Sequence, residues 1–384
     1  WSAGLGWNIH EEDFFKENPK INRLKLRGSI GTTGSTNFNS YQALTTYAYF
    51  TDDRYFNWNG AYLLGYGNED LKWQQALKMN IGTDIELFNR YLLINTDYYV
   101  ETTRDLVSSV NTPASNGFSS YTANIGRLRN KGFEVRATVF LKKHADGFMW
   151  SVTGSLLQNR NKVIETSAAL KEAQKAIQDM KSDARQMYVE GYSSNAIWVV
   201  PSLGIDPSTG KELYLGADGN PTYTWRGKDV IAVGNTDPDL FGNFSTMIRY
   251  KGFVFNTSFR YRIGAQQYNN TLVERVETSN YKYNMDERVF FERWQKPGDN
   301  VPFKGITNTT PTYKSSRFVQ DENTLIMQNF NIQYNFAGAT WLKKMRFENI
   351  NISADVAEPV YLSTIRRERG TSYPFSRQFS LSIN

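Results

Sequence analysis

The chain has 384 residues, 44 Lys and Arg against 38 Asp and Glu, and a formal net charge of +6. It has no cysteine, which excludes disulfide frameworks, thiolate catalysis and cysteine-based metal sites. The basic excess is small and contains no run of five like charges, so it does not call for a nucleic-acid partner. No stretch approaches 18 apolar residues, which excludes membrane-spanning helices.

Apolar and polar residues alternate along most of the chain, starting near the N-terminus. Leu24 and Leu26, for example, alternate with Lys25 and Arg27. Such a period of two predicts strands with one apolar and one polar face. The predicted strands, eleven in chain order, cover 2–9, 23–32, 73–88, 91–105, 127–141, 148–162, 239–250, 253–264, 324–335, 346–357 and 376–384.

The length of these strands bears on where their apolar face points. Strands of soluble proteins cluster near ~5–6 residues, whereas a tilted strand needs roughly 9–11 residues to cross a bilayer. Segments such as 73–88 and 91–105 keep the alternation over the longer span. They favour membrane strands over a soluble sandwich, in which the apolar face would turn inward.

The connections between the predicted strands alternate between short and long. The short ones are His10–Asn22, Asn89–Arg90, Lys142–Gly147, Lys251–Gly252 and Phe336–Met345. The long ones are Thr33–Lys72, Leu106–Gly126, Val163–Pro238, Ala265–Asn323 and Glu358–Phe375. Short turns at one end and long loops at the other are typical of outer-membrane barrels, with periplasmic turns and extracellular loops. A Greek-key sandwich does not keep that order.

An odd number of strands predicts that more of the barrel lies elsewhere in the polypeptide. Bacterial single-chain barrels have an even number of strands, and the chain begins on Trp1 without an initiator methionine or a signal peptide. We therefore predict an all-β fold in which residues 1–384 form one unit. That unit is the C-terminal half of a transmembrane antiparallel β-barrel.

Several segments, in order, resemble the C-terminal barrel of the SusC/RagA family of TonB-dependent transporters from Bacteroidetes. They include GWNIHEEDFF at Gly6–Phe15, LKLRGSIGTTG at Leu24–Gly34, GNEDLKWQQ at Gly67–Gln75, NTDYYVETTRDLV at Asn95–Val107, NIGRLRNKGFEV at Asn124–Val135, GIDPSTGKELY at Gly204–Tyr214, GNTDPDLFGNFS at Gly234–Ser245, SSRFVQDENTLIMQNFNIQYNF at Ser315–Phe336 and YPFSRQFSLSIN at Tyr373–Asn384. Single strings of this kind are weak, but their shared order along nearly the whole chain is specific.

The resemblance implies a barrel of about 22 strands in the outer membrane, in contact with lipid and lipopolysaccharide. Its lumen is filled by an N-terminal plug that, like the other barrel strands, is not part of this chain. Such a protein imports oligosaccharides or, in some members, oligopeptides, driven by TonB. A SusD-like lipoprotein covers its extracellular mouth as a lid.

Charged residues on the polar faces of the strands agree with a hydrated lumen. A charge buried in hydrocarbon is costly, so these side chains are expected to point inward and the Phe, Leu, Ile and Val rows toward lipid. The expected lumen residues are Lys25, Arg27, Lys78, Asp84, Glu86, Glu134, Arg136, Arg260 and Arg262.

Aromatic residues in the long loops are the candidate binding residues, because aromatic faces stack on sugar rings. The candidates for substrate binding are Trp58, Tyr62, Trp198, Tyr214 and Trp225, and those for contact with the lid are Tyr268, Tyr281 and Trp294. For any one of them, the alternative is that it packs the loops against each other or against the lid. A helix is also predicted at Ser167–Arg185, with Leu170 on its apolar face.

Catalysis finds little support. The chain has only two histidines, His10 and His144, each in a predicted turn, so we expect no enzyme, no catalytic or metal site and no cofactor. A calcium ion in a loop is left open, although Asp218-Gly219-Asn220-Pro221 lacks the ligand spacing of an EF-hand. The rival function from another class is a passive porin or a soluble carbohydrate-binding β-protein.

Overall fold

An antiparallel sheet of twelve strands dominates the computed structural model of the chain. The structure describes residues 1–15, 18–35, 40–56, 58–112, 117–118, 120–143, 147–178, 187–280, 282, 285–337, 340–366 and 376–384. The predicted turn residue His144 and the predicted lid-contact residue Tyr281 lie outside these ranges.

The strands of the first half are β1 (Ser2–Asn8), β2 (Ile21–Ser35), β3 (Thr46–Tyr55), β4 (Trp58–Gly65), β5 (Gln74–Leu87), β6 (Leu92–Arg104), β7 (Val107–Asn111), β8 (Ser120–Asn124), β9 (Gly126–Lys143) and β10 (Met149–Thr166). Those of the second half are β11 (Ala196–Val199), β12 (Ser202–Ile205), β13 (Glu212–Leu215), β14 (Pro221–Thr222), β15 (Ile231–Asn235), β16 (Leu240–Tyr250), β17 (Phe253–Tyr268), β18 (Val319–Asn335), β19 (Asn351–Ala357), β20 (Tyr361–Ser363) and β21 (Phe379–Ile383).

Helices are few and short. In the described residues they are α1 (Ala168–Gln178), α2 (Arg288–Phe291), α3 (Thr340–Lys344) and a π-helical segment at Leu272–Glu277. Short 3-10 helices lie at Ile9–Glu11, Ser40–Ala43, Gly227–Asp229 and Ser316–Phe318. Within the described ranges, none of these helices has the length and hydropathy needed to span a membrane. The helix expected at Ser167–Arg185 is confirmed over α1, and the remainder of that prediction reaches residues 179–186, which are not described.

The large sheet follows the order β1-β2-β5-β6-β9-β10-β16-β17-β18-β19-β21, and β20 also pairs with β18. Because β19 and β20 pair with successive stretches of β18, they form one interrupted strand of the sheet. The eleven predicted strands are thereby confirmed. Each neighbour in the sheet is also the next long strand in the chain, as in an up-and-down meander.

The strand boundaries differ from the prediction mainly at the long-loop end. The strands β2, β10 and β17 run on to Ser35, Thr166 and Tyr268, because backbone pairing continues where the apolar alternation has stopped. The expected start of β19 at residue 346 was wrong, since α3 and a left-handed Arg346 (φ 61°) delay the strand to Asn351. The small strands inside the loops, such as β3 and β4, were not predicted at all.

Register places the predicted lumen charges on a common face and brings opposite charges together. The Arg27 guanidinium of β2 lies 2.5 Å from the Asp97 carboxylate of β6 and 3.3 Å from Asp84 of β5. Lys78 lies 3.7 Å from Glu101 on the same face. These pairs neutralise charge across three strands, which is consistent with a hydrated, polar interior.

Glycines let long side chains of this sheet reach across a neighbouring strand. Tyr99 of β6 passes over Gly132 of β9 and donates a hydrogen bond to Asn159 of β10 at 3.1 Å. A methyl group at Gly132 would lie 2.2 Å from the Tyr99 ring. Arg27 crosses Gly82 in the same way, since a methyl group there would lie 2.7 Å from its guanidinium carbon. Each crossing ties three consecutive strands together.

The orientation of the two faces can be tested at adjacent positions of β5. Ile81 belongs to the apolar face and Asn80 to the polar face. Ile81→Arg should destabilise the membrane-inserted barrel by about 2–4 kcal/mol, since lipid does not solvate a guanidinium. Asn80→Arg should stay close to wild type. Folded barrel can be measured by heat-dependent gel migration after urea titration in vesicles. Equal losses in both variants would contradict the assignment of the faces.

The glycine crossing can be tested with matched glycine substitutions. Gly132→Ala should destabilise the barrel by about 1–3 kcal/mol, because the added methyl displaces Tyr99. Gly154→Ala on β10 meets no atom within 4 Å and should be neutral or slightly stabilising. Urea midpoints compare the two variants. If Tyr99→Ala in the Gly132→Ala background recovers no stability, the Tyr99 ring is not the source of the strain.

Candidate functional site

Two long connections, residues 167–239 and 269–318, fold against each other at the long-loop end of the sheet. The first contains the pair β11–β15 and the three-stranded sheet β12–β13–β14. Val200 and Ser315 form a parallel bridge between the two connections, and the Ser202 amide donates to the Ser316 hydroxyl at 2.9 Å. We call this joined structure the loop platform.

The loop platform has a small apolar core of its own. Val200, Tyr214 and Trp225 are buried together, with Val230 and Tyr313 packed around them. The Trp225 ring stacks on Tyr313 with centroids 5.1 Å apart and an interplanar angle of 22°. Its indole donates to the Lys314 carbonyl at 3.1 Å. The core therefore holds residues from both connections in fixed positions.

A buried ion network joins three segments of the loop platform. The Arg317 guanidinium donates to both Glu277 carboxylate oxygens, at 2.6 and 2.7 Å, and to the Glu212 carboxylate at 2.9 Å. The side chains of Arg317, Glu212 and Glu277 are only 7%, 6% and 0% exposed. The Ser315 hydroxyl also donates to Glu212, at 2.5 Å.

The electrostatics keep Glu212 and Arg317 of this network ionised. Burial alone would raise the pKa of Glu212, but the hydrogen bond and charge of Arg317 outweigh it and hold that pKa below the ordinary value. Burial likewise opposes the charge of Arg317, and its hydrogen bonds to Glu277 and Glu212 outweigh this and raise the pKa of Arg317. Burial, with the neighbouring Glu212 charge, raises the pKa of Tyr214, so the phenol stays neutral.

A cleft of about 270 Å³ opens beside β11 and the end of β17. Its lining residues are Ser194, Asn195, Ala196, Ile197, Trp198, Val199, Thr236, Tyr268, Asn270 and Lys314. Ser194 donates from its amide (2.8 Å) and its hydroxyl (3.0 Å) to the side-chain oxygen of Asn161 on β10. Register places Asn161 in one row with Lys78 and Glu101, on the charged face of the sheet. The cleft therefore adjoins the polar interior.

The predicted binding aromatics fall into two groups in the loop platform. Trp198 and Tyr268 line the same cleft, although one was predicted for substrate and the other for the lid. Tyr214 and Trp225 are only 5% and 6% exposed. Their placement in the apolar core favours the alternative that they pack the loops.

The other predicted aromatics lie apart from the cleft. Trp58 and Tyr62 are exposed on the β3–β4 hairpin, and the Tyr62 ring lies 5.2 Å from that of Phe50. Trp294 donates to the Pro207 carbonyl at 2.9 Å, and its ring lies against Gly210. Trp58, Tyr62 and Trp294 therefore do not line the cleft, and they do not form a common site.

Sequence reasoning missed Glu212, Glu277 and Arg317. Arg317 lies 105 and 40 residues from its two carboxylate partners. No local motif or spacing signals such a contact, since each residue alone is an ordinary loop charge.

No cluster of three or more metal-ligating His, Cys, Asp or Glu side chains occurs within the described ranges. The Asp218 carboxylate of the predicted turn accepts from the Asn220 amide at 3.1 Å and lies 3.8 Å from Arg226. The prediction of no cofactor, with a calcium ion in a loop left open, stays untested.

Comparison with known proteins identifies the family. Residues 1–272 match the family described as TonB dependent receptor-like, beta-barrel, and the chain belongs to that family. TonB-dependent receptor P3 of Formosa agariphila is 27% identical, over 100% of this chain and 41% of that protein. TonB-dependent receptor SusC of Bacteroides thetaiotaomicron is 26% identical, over 72% of this chain and 29% of that protein.

A solved structure shows the same fold. The structure titled as that of the RagAB peptide transporter matches 100% of this chain with a TM-score of 0.83 at 20% identity. This chain covers 43% of the matched chain, and it likewise spans less than half of the relatives above. The predicted all-β barrel fold is confirmed.

Family membership also settles location and broad class. The chain is an integral β-barrel segment of the bacterial outer membrane, and its family consists of transporters rather than enzymes. A soluble carbohydrate-binding β-protein is therefore excluded as an alternative.

Loss of the buried cation should loosen the loop platform. Arg317→Met leaves two carboxylates buried without a partner, which should cost about 3–5 kcal/mol of local stability. Hydrogen–deuterium exchange of peptides covering 200–230 and 270–318 should accelerate, while the barrel strands keep their protection. Arg90→Met removes an exposed arginine from its pair with Glu86 and should change little. Unchanged exchange in Arg317→Met would show that the network does not hold the loops.

Proposed function

We propose that the protein is a TonB-dependent active importer of oligosaccharides across the outer membrane, working with a SusD-like surface lipoprotein. The observation that carries this is the loop platform above a charged lumen face, with an aromatic and amide-lined cleft between the two. Support also comes from membership in the TonB-dependent receptor-like barrel family and from the similarity to SusC.

A hydrophilic cargo agrees with the polar face of the sheet. Ion pairs such as Arg27–Asp97 and Arg262–Glu322 line that face, so water and hydroxyl groups find hydrogen-bond partners along it. The loop aromatics provide apolar faces for sugar rings, and Asn and Ser side chains provide donors and acceptors for hydroxyls. The energy for import would come from TonB acting on the plug, and the lid would close over the loops.

Oligopeptide import by the same machinery is the second candidate. A second cleft, larger in volume than the one beside β11, measures about 440 Å³ and lies where β6, β9 and β10 reach the loops. Its lining includes Lys72, Arg104, Arg127, Asp105 and Glu165. Charges of both signs suit the two ends of a peptide. The RagAB structure is titled as a peptide transporter, but at 20% identity the likeness shows the fold alone.

Ligand capture distinguishes the two cargoes. The full-length protein, purified with its lid lipoprotein, is incubated with fructan, starch and mucin oligosaccharides and with a tryptic peptide digest, and the retained ligand is identified by mass spectrometry. We expect an oligosaccharide to be retained and uptake by cells to stop when TonB is deleted. Retention of peptides alone would overturn oligosaccharide import, and uptake without TonB would favour a passive porin.

A further inference from the structure

We propose that the cleft beside β11 is a subsite that holds one neutral glycosyl unit of the cargo, with Trp198 as its stacking residue. The proposal rests on the proposed oligosaccharide import and names the residues that would recognise the sugar. The sugar ring would lie against the aromatic wall formed by Trp198 and Tyr268, and the neutral polar side chains of the cleft would bond its hydroxyls.

The aromatic wall is held in place by other rings. The Trp198 ring packs edge to face on Tyr192, with centroids 5.0 Å apart, and Tyr268 packs in the same manner on Phe318 at 5.8 Å. Behind them, Val199 is fully buried. Rings that are already fixed lose little conformational freedom when a ligand stacks on them, which favours binding.

The polar lining suits hydroxyl groups. The Asn195 amide nitrogen donates to Asp237 at 2.9 Å, which orients the side chain. The Thr236 hydroxyl donates to the Asn195 backbone carbonyl at 3.3 Å. Among the described residues that line the cleft there is no carboxylate and one lysine, Lys314. Amides and hydroxyls in this setting offer both donors and acceptors, as sugar hydroxyls require.

The indole N–H of Trp198 is a second sign of a ligand. Its Nε1 atom is buried and has no hydrogen-bond partner within the described part of the chain. Buried tryptophan N–H groups usually find an acceptor, and the described residues supply none for this one. The proposal assigns the role of acceptor to an oxygen of a sugar seated in the cleft.

The size and place of the cleft fit a single unit on the import path. A volume of about 270 Å³ lies just below the usual range of ligand pockets, roughly 300–1,000 Å³, and suits one ring better than a whole oligosaccharide. Because Ser194 is anchored on Asn161 of the charged sheet face, a bound unit would sit where the loops meet the lumen.

The test is calorimetric titration of the full-length protein with its lid lipoprotein, using maltohexaose, inulin-derived oligosaccharides and mucin O-glycans as probes. Trp198→Ala should weaken binding of the saccharide that the wild type binds by about tenfold or more, the loss expected when an aromatic contact residue is truncated. Trp198→Phe, which keeps a ring but lacks the N–H, should lose less. Trp73→Ala removes an exposed tryptophan outside the cleft and should bind like wild type.

The outcomes distinguish failure of the proposed subsite from failure of the proposed import function. If the wild type binds a saccharide and Trp198→Ala binds it equally well, the subsite is wrong while oligosaccharide import stands. Equal weakening in Trp198→Ala and Trp73→Ala also overturns the subsite. If none of the three saccharides binds, or only peptides bind, both the glycosyl subsite and oligosaccharide import are overturned. Heat-dependent gel migration confirms that each variant is folded.

Discussion

Backbone hydrogen bonding in a medium without water is the constraint on which the rest of this structure depends. In hydrocarbon each unpaired N–H or C=O group costs several kcal/mol, so a chain that crosses by strands must pair them laterally in a continuous ladder. The chain does so from β1 to β21, each long strand bonded to the next in sequence. Once the ladder is set, side chains alternate between lipid and lumen, and the charged residues have only one face on which they can be hydrated.

Side-chain contacts across the strands add to the backbone ladder in holding the sheet together, because the sheet has no conventional core. A sheet with lipid on one side and a polar interior on the other has no buried apolar layer to cement it. Instead, contacts that span three strands hold neighbouring strands together. Arg27 reaches Asp97 across Gly82, and Tyr99 reaches Asn159 across Gly132. Glycine is needed at the crossing because any side chain there would occupy the space of the crossing group.

The long loops are stabilised in the same way as soluble proteins, by burial of apolar side chains. Outside the bilayer they can bury apolar side chains from water, and they form small cores around Val200 and Phe318. The Arg317 network then fixes the relative position of connections that are far apart in sequence. In this way the platform gains rigid walls for a cleft, which flexible loops would not provide. A rigid aromatic wall beside the polar face of the sheet agrees with the proposed recognition of sugars.

The sequence alone determined the eleven long strands, their order, the two faces and the alternation of short and long connections. These follow from local periodicity and from the thickness of the bilayer, both of which can be read along the chain. It also singled out Trp198 and Tyr268, but without any sign that they share a cleft. Only the tertiary structure showed that Tyr214 and Trp225 are buried in the core of the loop platform and that Arg317 joins two distant carboxylates. Those outcomes depend on contacts between segments far apart in sequence. The bilayer imposes a periodicity on the strands but not on the loops, so these contacts leave no pattern along the chain.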